Sequence, residues 1–149
     1  MMPEPMRVLI AEDDFGTAET LADILEGSGY EVELASDGAE AVSRFEAKPC
    51  DVVFLDVRMP GMGGLDVFRR LKRLRHVPAV LMTAYAQPEV AAEAEREGML
   101  AVVLKPLPLE RVLCFLAALG RGRDDTPGDA HAKQAAAWLR ELDAPDPSD

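Results

Sequence analysis

The stretch Asp51–Asp66, DVVFLDVRMPGMGGLD, decides how this chain folds. Its first part, DVVFLD, is a solid apolar run closed by an acid, as expected of a strand covered on both faces. A loop of Gly, Pro and Met follows. Val67, Leu71 and Leu74 then recur at helical spacing and predict a helix from about Gly64 to Arg75.

The same alternation recurs on either side. Arg7–Ala11 (RVLIA) is a compact apolar run, and Ala18, Leu21, Ile24 and Leu25 predict a helix over Thr17–Ser28 that Gly27 and Gly29 stop. Tyr30, Val32 and Leu34 alternate with Glu31 and Glu33, the pattern of a half-exposed edge strand. Asp37 is placed to cap a helix through about Ala47, with Val42 and Phe45 inward. Downstream, Ala79–Thr83 (AVLMT) and Ala101–Leu104 (AVVL) read as strands. Gln87–Glu97, with Pro88 in its first turn, and Pro108–Leu119 read as helices. Five strands alternating with five helices imply an α/β fold, a doubly wound parallel sheet with right-handed crossovers and helices on both faces.

From Gly120 the character changes. Arg121–Gly128 reads as a linker, Asp129–Leu142 as a short amphipathic segment carrying Trp138, Leu139 and Leu142, and the final APDPSD as disordered. That apolar stripe must bury itself on the preceding domain, on a second copy in a homodimer, or on a partner. The segment is too short for a DNA-binding output domain with its own core.

Composition narrows the function classes. The formal charge is −11, with −8 over residues 1–120 and −3 over residues 121–149. Such a chain is repelled by duplexes and anionic bilayers, so no direct nucleic-acid or membrane partner is expected. No apolar run approaches the roughly 20 residues of a membrane span, and MMPEPMRVLI lacks the features of a secretory signal. Cys50 and Cys114 match no CxxC spacing and read as reduced thiols of a cytoplasmic protein.

In open parallel sheets, ligands bind beyond the carboxyl ends of the strands. The first strand delivers Glu12, Asp13 and Asp14 there, the third Asp56, the fourth Thr83 and the fifth Lys105. Singly, each has a structural explanation: acids cap helices, and strand ends commonly carry Thr or a solvated Lys. Together they form a rim of carboxylates with one ammonium and one hydroxyl. Gathered carboxylates repel unless a cation intervenes, and an all-oxygen set without His or Cys suits Mg²⁺ rather than zinc. Beside such an ion Asp56 can be a nucleophile toward a phosphoryl donor, with Lys105 and Thr83 serving the phosphoryl oxygens.

At these residues the sequence resembles the receiver domains of two-component response regulators, over about Met6–Gly120. VLIAEDD resembles the family's first strand and acidic pair, Glu12 and Asp13, with Asp14 an extra acid. DVVFLDVRMPGMGGLD resembles the phosphoacceptor strand and loop, MTA gives Thr83, and LKP gives Lys105 and Pro106. The resemblance implies a flavodoxin-like (β/α)5 fold in strand order 2-1-3-4-5, a receiver domain over residues 1–120, and a linker with a short helix over 121–149. It implies phosphoryl transfer to Asp56 from a histidine kinase or phosphotransfer protein. Mg²⁺ would be held by Asp13, Asp56 and the Arg58 carbonyl, with Glu12 acting through water, and the Lys105–Pro106 peptide would be cis. Output to a downstream protein would run through the fourth-helix, fifth-strand and fifth-helix face. The chain would be a signalling phosphoacceptor rather than an enzyme in the turnover sense.

Two departures from the family pattern stand out. Val102 occupies the position, three before the lysine, where many members carry a switching aromatic; Tyr85 is a substitute or a flank of the phosphate. The link between the third and fourth strands is also short, which cuts back the third helix. The expectation is a stand-alone receiver, the alternative a receiver piece of a longer transcriptional regulator; a natural stop codon after Asp149 would separate them. A Mg²⁺-dependent phosphatase with an aspartate nucleophile would need a second Asp where Arg58 stands, and a flavin carrier would not place three acids in its phosphate loop. The basic run FRRLKRLRH (Phe68–His76) reads as a solvated face or as a docking patch for an acidic partner. His76 and His131 read as structural or solvent-exposed, and Met59, Met62, Met82 and Met99 as packing residues.

Overall fold

The computed structural model describes residues 5–121 and 129–140. Five strands, β1 (Arg7–Ala11), β2 (Glu31–Ala35), β3 (Val52–Asp56), β4 (Ala79–Thr83) and β5 (Ala101–Leu104), form one parallel sheet in the order β2-β1-β3-β4-β5. The expected doubly wound α/β fold and its strand order are therefore what the chain adopts.

Period-two alternation sorts each strand between two cores. Val8 and Ile10, Val52 and Phe54, Val80 and Met82, and Ala101 and Val103 point to one face. There they meet Leu21 and Leu25 of α1 (Phe15–Gly27) and Val112, Phe115, Leu116 and Leu119 of α5 (Leu109–Arg121). Leu9, Val53, Leu55 and Leu81 point to the other face, toward α2 (Gly38–Ala47), α3 (Gly64–Leu74) and α4 (Pro88–Glu97). Apolar residues on both faces explain why β3 and β4 are solid apolar runs buried at every position.

Local chemistry sets the helix ends. Asp14 Oδ1 accepts from the Thr17 amide at 3.1 Å, so α1 begins at Phe15, ahead of the predicted Thr17. The acid that looked surplus is an N-cap. Asp37 caps α2 as predicted, its Oδ1 accepting from the Glu40 amide at 2.7 Å. Pro88 lies in the first turn of α4, and Gly98 ends that helix at φ 99°, a left-handed conformation that glycine tolerates.

Two elements differ from expectation. The fifth helix runs through Gly120 to Arg121, so Gly120 does not break it; a Cβ there would meet the Met6 sulfur at 3.7 Å, an ordinary contact. The tail is two short helices, α6 (Asp129–Ala135) and α7 (Ala137–Arg140), rather than one amphipathic segment. Of the predicted stripe, Leu139 is buried on the preceding domain, joining the α5-side core together with Ala132, Ala135 and Ala136, whereas Trp138 stays exposed. The linker residues 122–128, Leu142 and APDPSD lie outside the described residues. Among the described residues, no helix is long and apolar enough to cross a membrane.

Candidate functional site

The parallel sheet brings the carboxyl ends of β1, β3, β4 and β5 to one rim. Glu12 follows β1 directly, its amide donating to the Ala35 carbonyl of β2 at 3.0 Å. Asp56 is the last residue of β3, opposite Met82, and Thr83 is the last of β4, opposite Leu104. Lys105 follows β5, its amide donating to the Thr83 carbonyl at 2.8 Å. Glu12, Asp56 and Thr83 are buried, unusual for such groups unless they are partnered.

The partnering centres on Lys105. Its ammonium donates to Asp56 Oδ2 and forms an ion pair with Glu12 Oε2. The other Glu12 oxygen accepts from the Asp14 amide at 3.0 Å, and the other Asp56 oxygen accepts from the Arg58 amide at 3.1 Å. Each buried carboxylate thus has one oxygen on the main chain and one at the ammonium. Asp13 is exposed, yet it completes a trio with Glu12 and Asp56 in which one oxygen of each lies within 4.8 Å of the others.

Electrostatics follow from this crowding. Burial is the largest influence on Glu12 and pushes its carboxyl above the ordinary range. Lys105 and the Asp14 amide oppose that push, and the nearby Asp56 adds to it. For Lys105 the largest influence, burial, pulls downward; the hydrogen bonds and charges of Asp56 and Glu12 outweigh it and hold the ammonium above its usual value. The trio is all oxygen and all acidic, the donor set of a hard divalent cation. It can hold a metal ion.

Thr83 is engaged elsewhere. Its hydroxyl donates to the Tyr85 carbonyl at 3.0 Å and accepts from the Tyr85 amide at 3.2 Å, closing a turn after β4. The Tyr85 ring is exposed, and Val102 is partly buried in the α4-side core. The Lys105–Pro106 peptide is cis. Gly64 lets α3 start against the site: a Cβ there would stand 2.5 Å from the Asp56 carbonyl oxygen and 2.7 Å from a Leu81 methyl. Glu12, Asp13, Asp56, Thr83 and Lys105 thus share one rim, with Lys105 and Asp13 each in reach of Glu12 and Asp56. Of the acids after the first strand, it is Asp14 that takes the capping role foreseen for such acids; the grip of Lys105 on Glu12 and the use of the Tyr85 main chain by Thr83 had no sign in the sequence.

The family model described as the response regulator receiver domain matches residues 8–116. The chain belongs to this family. As a receiver domain it is 33% identical over 118 residues to the transcriptional regulatory protein ZraR of Klebsiella oxytoca, covering 78% of this chain and 27% of that one. It is 39% identical over 108 residues to the response regulator receiver protein Anae109_2439 of Anaeromyxobacter, covering 72% of this chain and 45% of the relative. The receiver therefore spans from about a quarter to under half of these relatives. A CheY-like receiver domain protein of Methanospirillum hungatei superposes with a TM-score of 0.73 at 26% identity, covering 80% of this chain and 97% of that one. The rim just described thus belongs to a receiver domain of the two-component response-regulator family.

Proposed function

We propose that Asp56 is the phosphoacceptor of this receiver, taking a phosphoryl group from a histidine kinase or a histidine phosphotransfer protein. The observation that carries the reading is the shared ammonium: Lys105 holds the Asp56 and Glu12 carboxylates together at the rim, with Asp13 alongside. Mg²⁺, held by Asp13, Asp56 and the Arg58 carbonyl with Glu12 behind them, would offset negative charge on the transferring phosphoryl oxygens.

The chain's own groups do the rest. An Asp56 oxygen attacks phosphorus in line while the bond from phosphorus to the donor nitrogen breaks, and the electron pair of that bond leaves with the imidazole. Lys105 turns from the carboxylates toward a phosphoryl oxygen. Thr83 donates its hydroxyl proton to another phosphoryl oxygen, and to do so it must release the Tyr85 carbonyl. That release loosens the turn between β4 and α4. With Val102 in place of a large ring, this main-chain link is the route toward the α4–β5–α5 face, through which a downstream protein target would be engaged. The setting is the cytoplasm, in keeping with two free thiols.

Incubation with acetyl phosphate and Mg²⁺, followed by intact mass measurement, tests the assignment. The expected result is one phosphoryl adduct in the wild type and none in Asp56→Asn, with Asp13→Ala losing the Mg²⁺ dependence. No adduct in the wild type, or an equal adduct in Asp56→Asn, rejects Asp56 as the acceptor.

A further inference from the structure

In the tail, Ala132, Ala135, Ala136 and Leu139 recur at spacings of three and four, the period of one helical face. All four are buried, Ala136 completely, whereas Ala130, Lys133 and Gln134 between and before them are exposed. The buried face lies on α5 and on β5, the edge strand of the sheet. Three alanines allow the backbones to approach closely, and Leu139 fills what remains. Two further contacts orient the segment: His131 Nε2 meets the Ala118 carbonyl of α5 at 2.6 Å, and the Arg111 guanidinium of α5 lies over the Trp138 ring at 6.0 Å.

The tail helices have 7 and 4 residues. Isolated helices shorter than roughly 12–15 residues are marginal in water. The segment is therefore helical because the seat on α5 and β5 makes it so, and its folding is coupled to docking. Elements α1 to α5 and the five strands contribute most of both cores, and the tail adds Ala132, Ala135, Ala136 and Leu139 to the α5-side one.

We propose that the groove between α5 and the β5 edge is a binding site for a short amphipathic helix, and that its resident occupant is this chain's own segment 129–140. The tail acts as an intramolecular ligand, bound by its alanine and leucine face as helices are bound in apolar grooves. It covers the α5–β5 part of the surface through which receiver output is proposed above, so a partner helix of the same pattern reaches the groove only by displacing it. The site itself does not depend on phosphoryl transfer at Asp56, and the experiment below reads it without phosphorylation.

Hydrogen exchange on the full chain, with Ala136→Asp as the disrupting variant and Gln134→Asp as the exposed-face control, provides the test. In the wild type and in Gln134→Asp, amides of residues 129–140 should exchange far more slowly than in a synthetic peptide of residues 129–142. In Ala136→Asp they should exchange at the peptide's rate while the strands keep their protection. The labelled peptide should bind Ala136→Asp and bind the wild type at least roughly tenfold more weakly, because a tethered occupant competes at millimolar effective concentration. Peptide-rate exchange of the wild-type tail overturns the proposal. So does loss of strand protection in Ala136→Asp, which would make the tail part of the receiver core, and so does failure of the peptide to bind that variant.

Discussion

Cys50 shows how far burial alone can set the chemistry of a residue. Its side chain lies in the α4-side core, and desolvation, helped by the nearby Asp51 carboxylate, pushes the thiol from its ordinary 9.0 up to about 12. The unfolded chain releases that proton near the ordinary value and the folded chain keeps it, so this residue makes stability fall as pH rises from about 9 toward 12. Urea midpoints of the wild type and Cys50→Ala should accordingly diverge with pH. The wild type should lose stability relative to the variant between about pH 8 and about pH 10.5, and a constant difference would contradict the assigned burial effect. Iodoacetamide should modify Cys50 only as the fold opens. The sequence pointed to reduced thiols but held no sign of this, because desolvation is a property of neighbours brought from β1 and α2. The same holds for Lys105, whose place after β5 is visible in LKP while its grip on Glu12 is not.

At the scale of the element, α3 and its approach to β3 are the clearest case. The pair Gly63–Gly64 permits the helix to start against the strand end, with a Cβ on Gly64 running into the Asp56 carbonyl, which cannot swing away as a side chain could. Gly64→Ala should therefore cost on the order of 1–3 kcal/mol by overpacking, read as a lower urea midpoint, and should slow phosphoryl uptake by moving Asp56. An unchanged midpoint together with an unchanged rate would refute this. The basic run on the same helix is divided in a way that neither of its two sequence readings anticipated. Arg69 donates to Glu93 at 2.6 Å and Glu97 at 3.0 Å on α4 and to Asp66 at 2.9 Å, and Lys72 donates to Glu97 at 2.8 Å. Two of the five basic side chains thus clamp α3 to α4. Partners 24 to 28 residues away cannot be read from a local charge pattern.

Across the whole molecule, stability rests on two cores separated by one sheet. Phe54 and Phe115 meet edge to face at 6.1 Å between ring centroids in the α5-side core, and both are fully buried. Phe115→Ala should cost about 3–5 kcal/mol, a large share of the ~5–15 kcal/mol that holds a domain together. Chemical denaturation checks the value, and a loss below about 1 kcal/mol would mean that the cavity collapses without penalty. Because α5 also carries the tail on its outer side, the variant should loosen residues 129–140 along with the core.

The sequence by itself determined the fold class, the five strands and the rim to which Glu12, Asp13, Asp56, Thr83 and Lys105 belong. Strand and helix periods are local, and a parallel sheet places every strand's carboxyl end on the same side. Only the tertiary structure decided which groups pair at that rim, where Asp14 acts, that α5 continues through Gly120, and which surface receives the tail. Pairing at the rim and the seat of the tail depend on side chains far apart in the chain competing for the same space, whereas the Asp14 cap is a local contact with the Thr17 amide that the observed helix start assigns. An amphipathic stripe states that a face will be covered; the shape of the groove between α5 and β5 states by what.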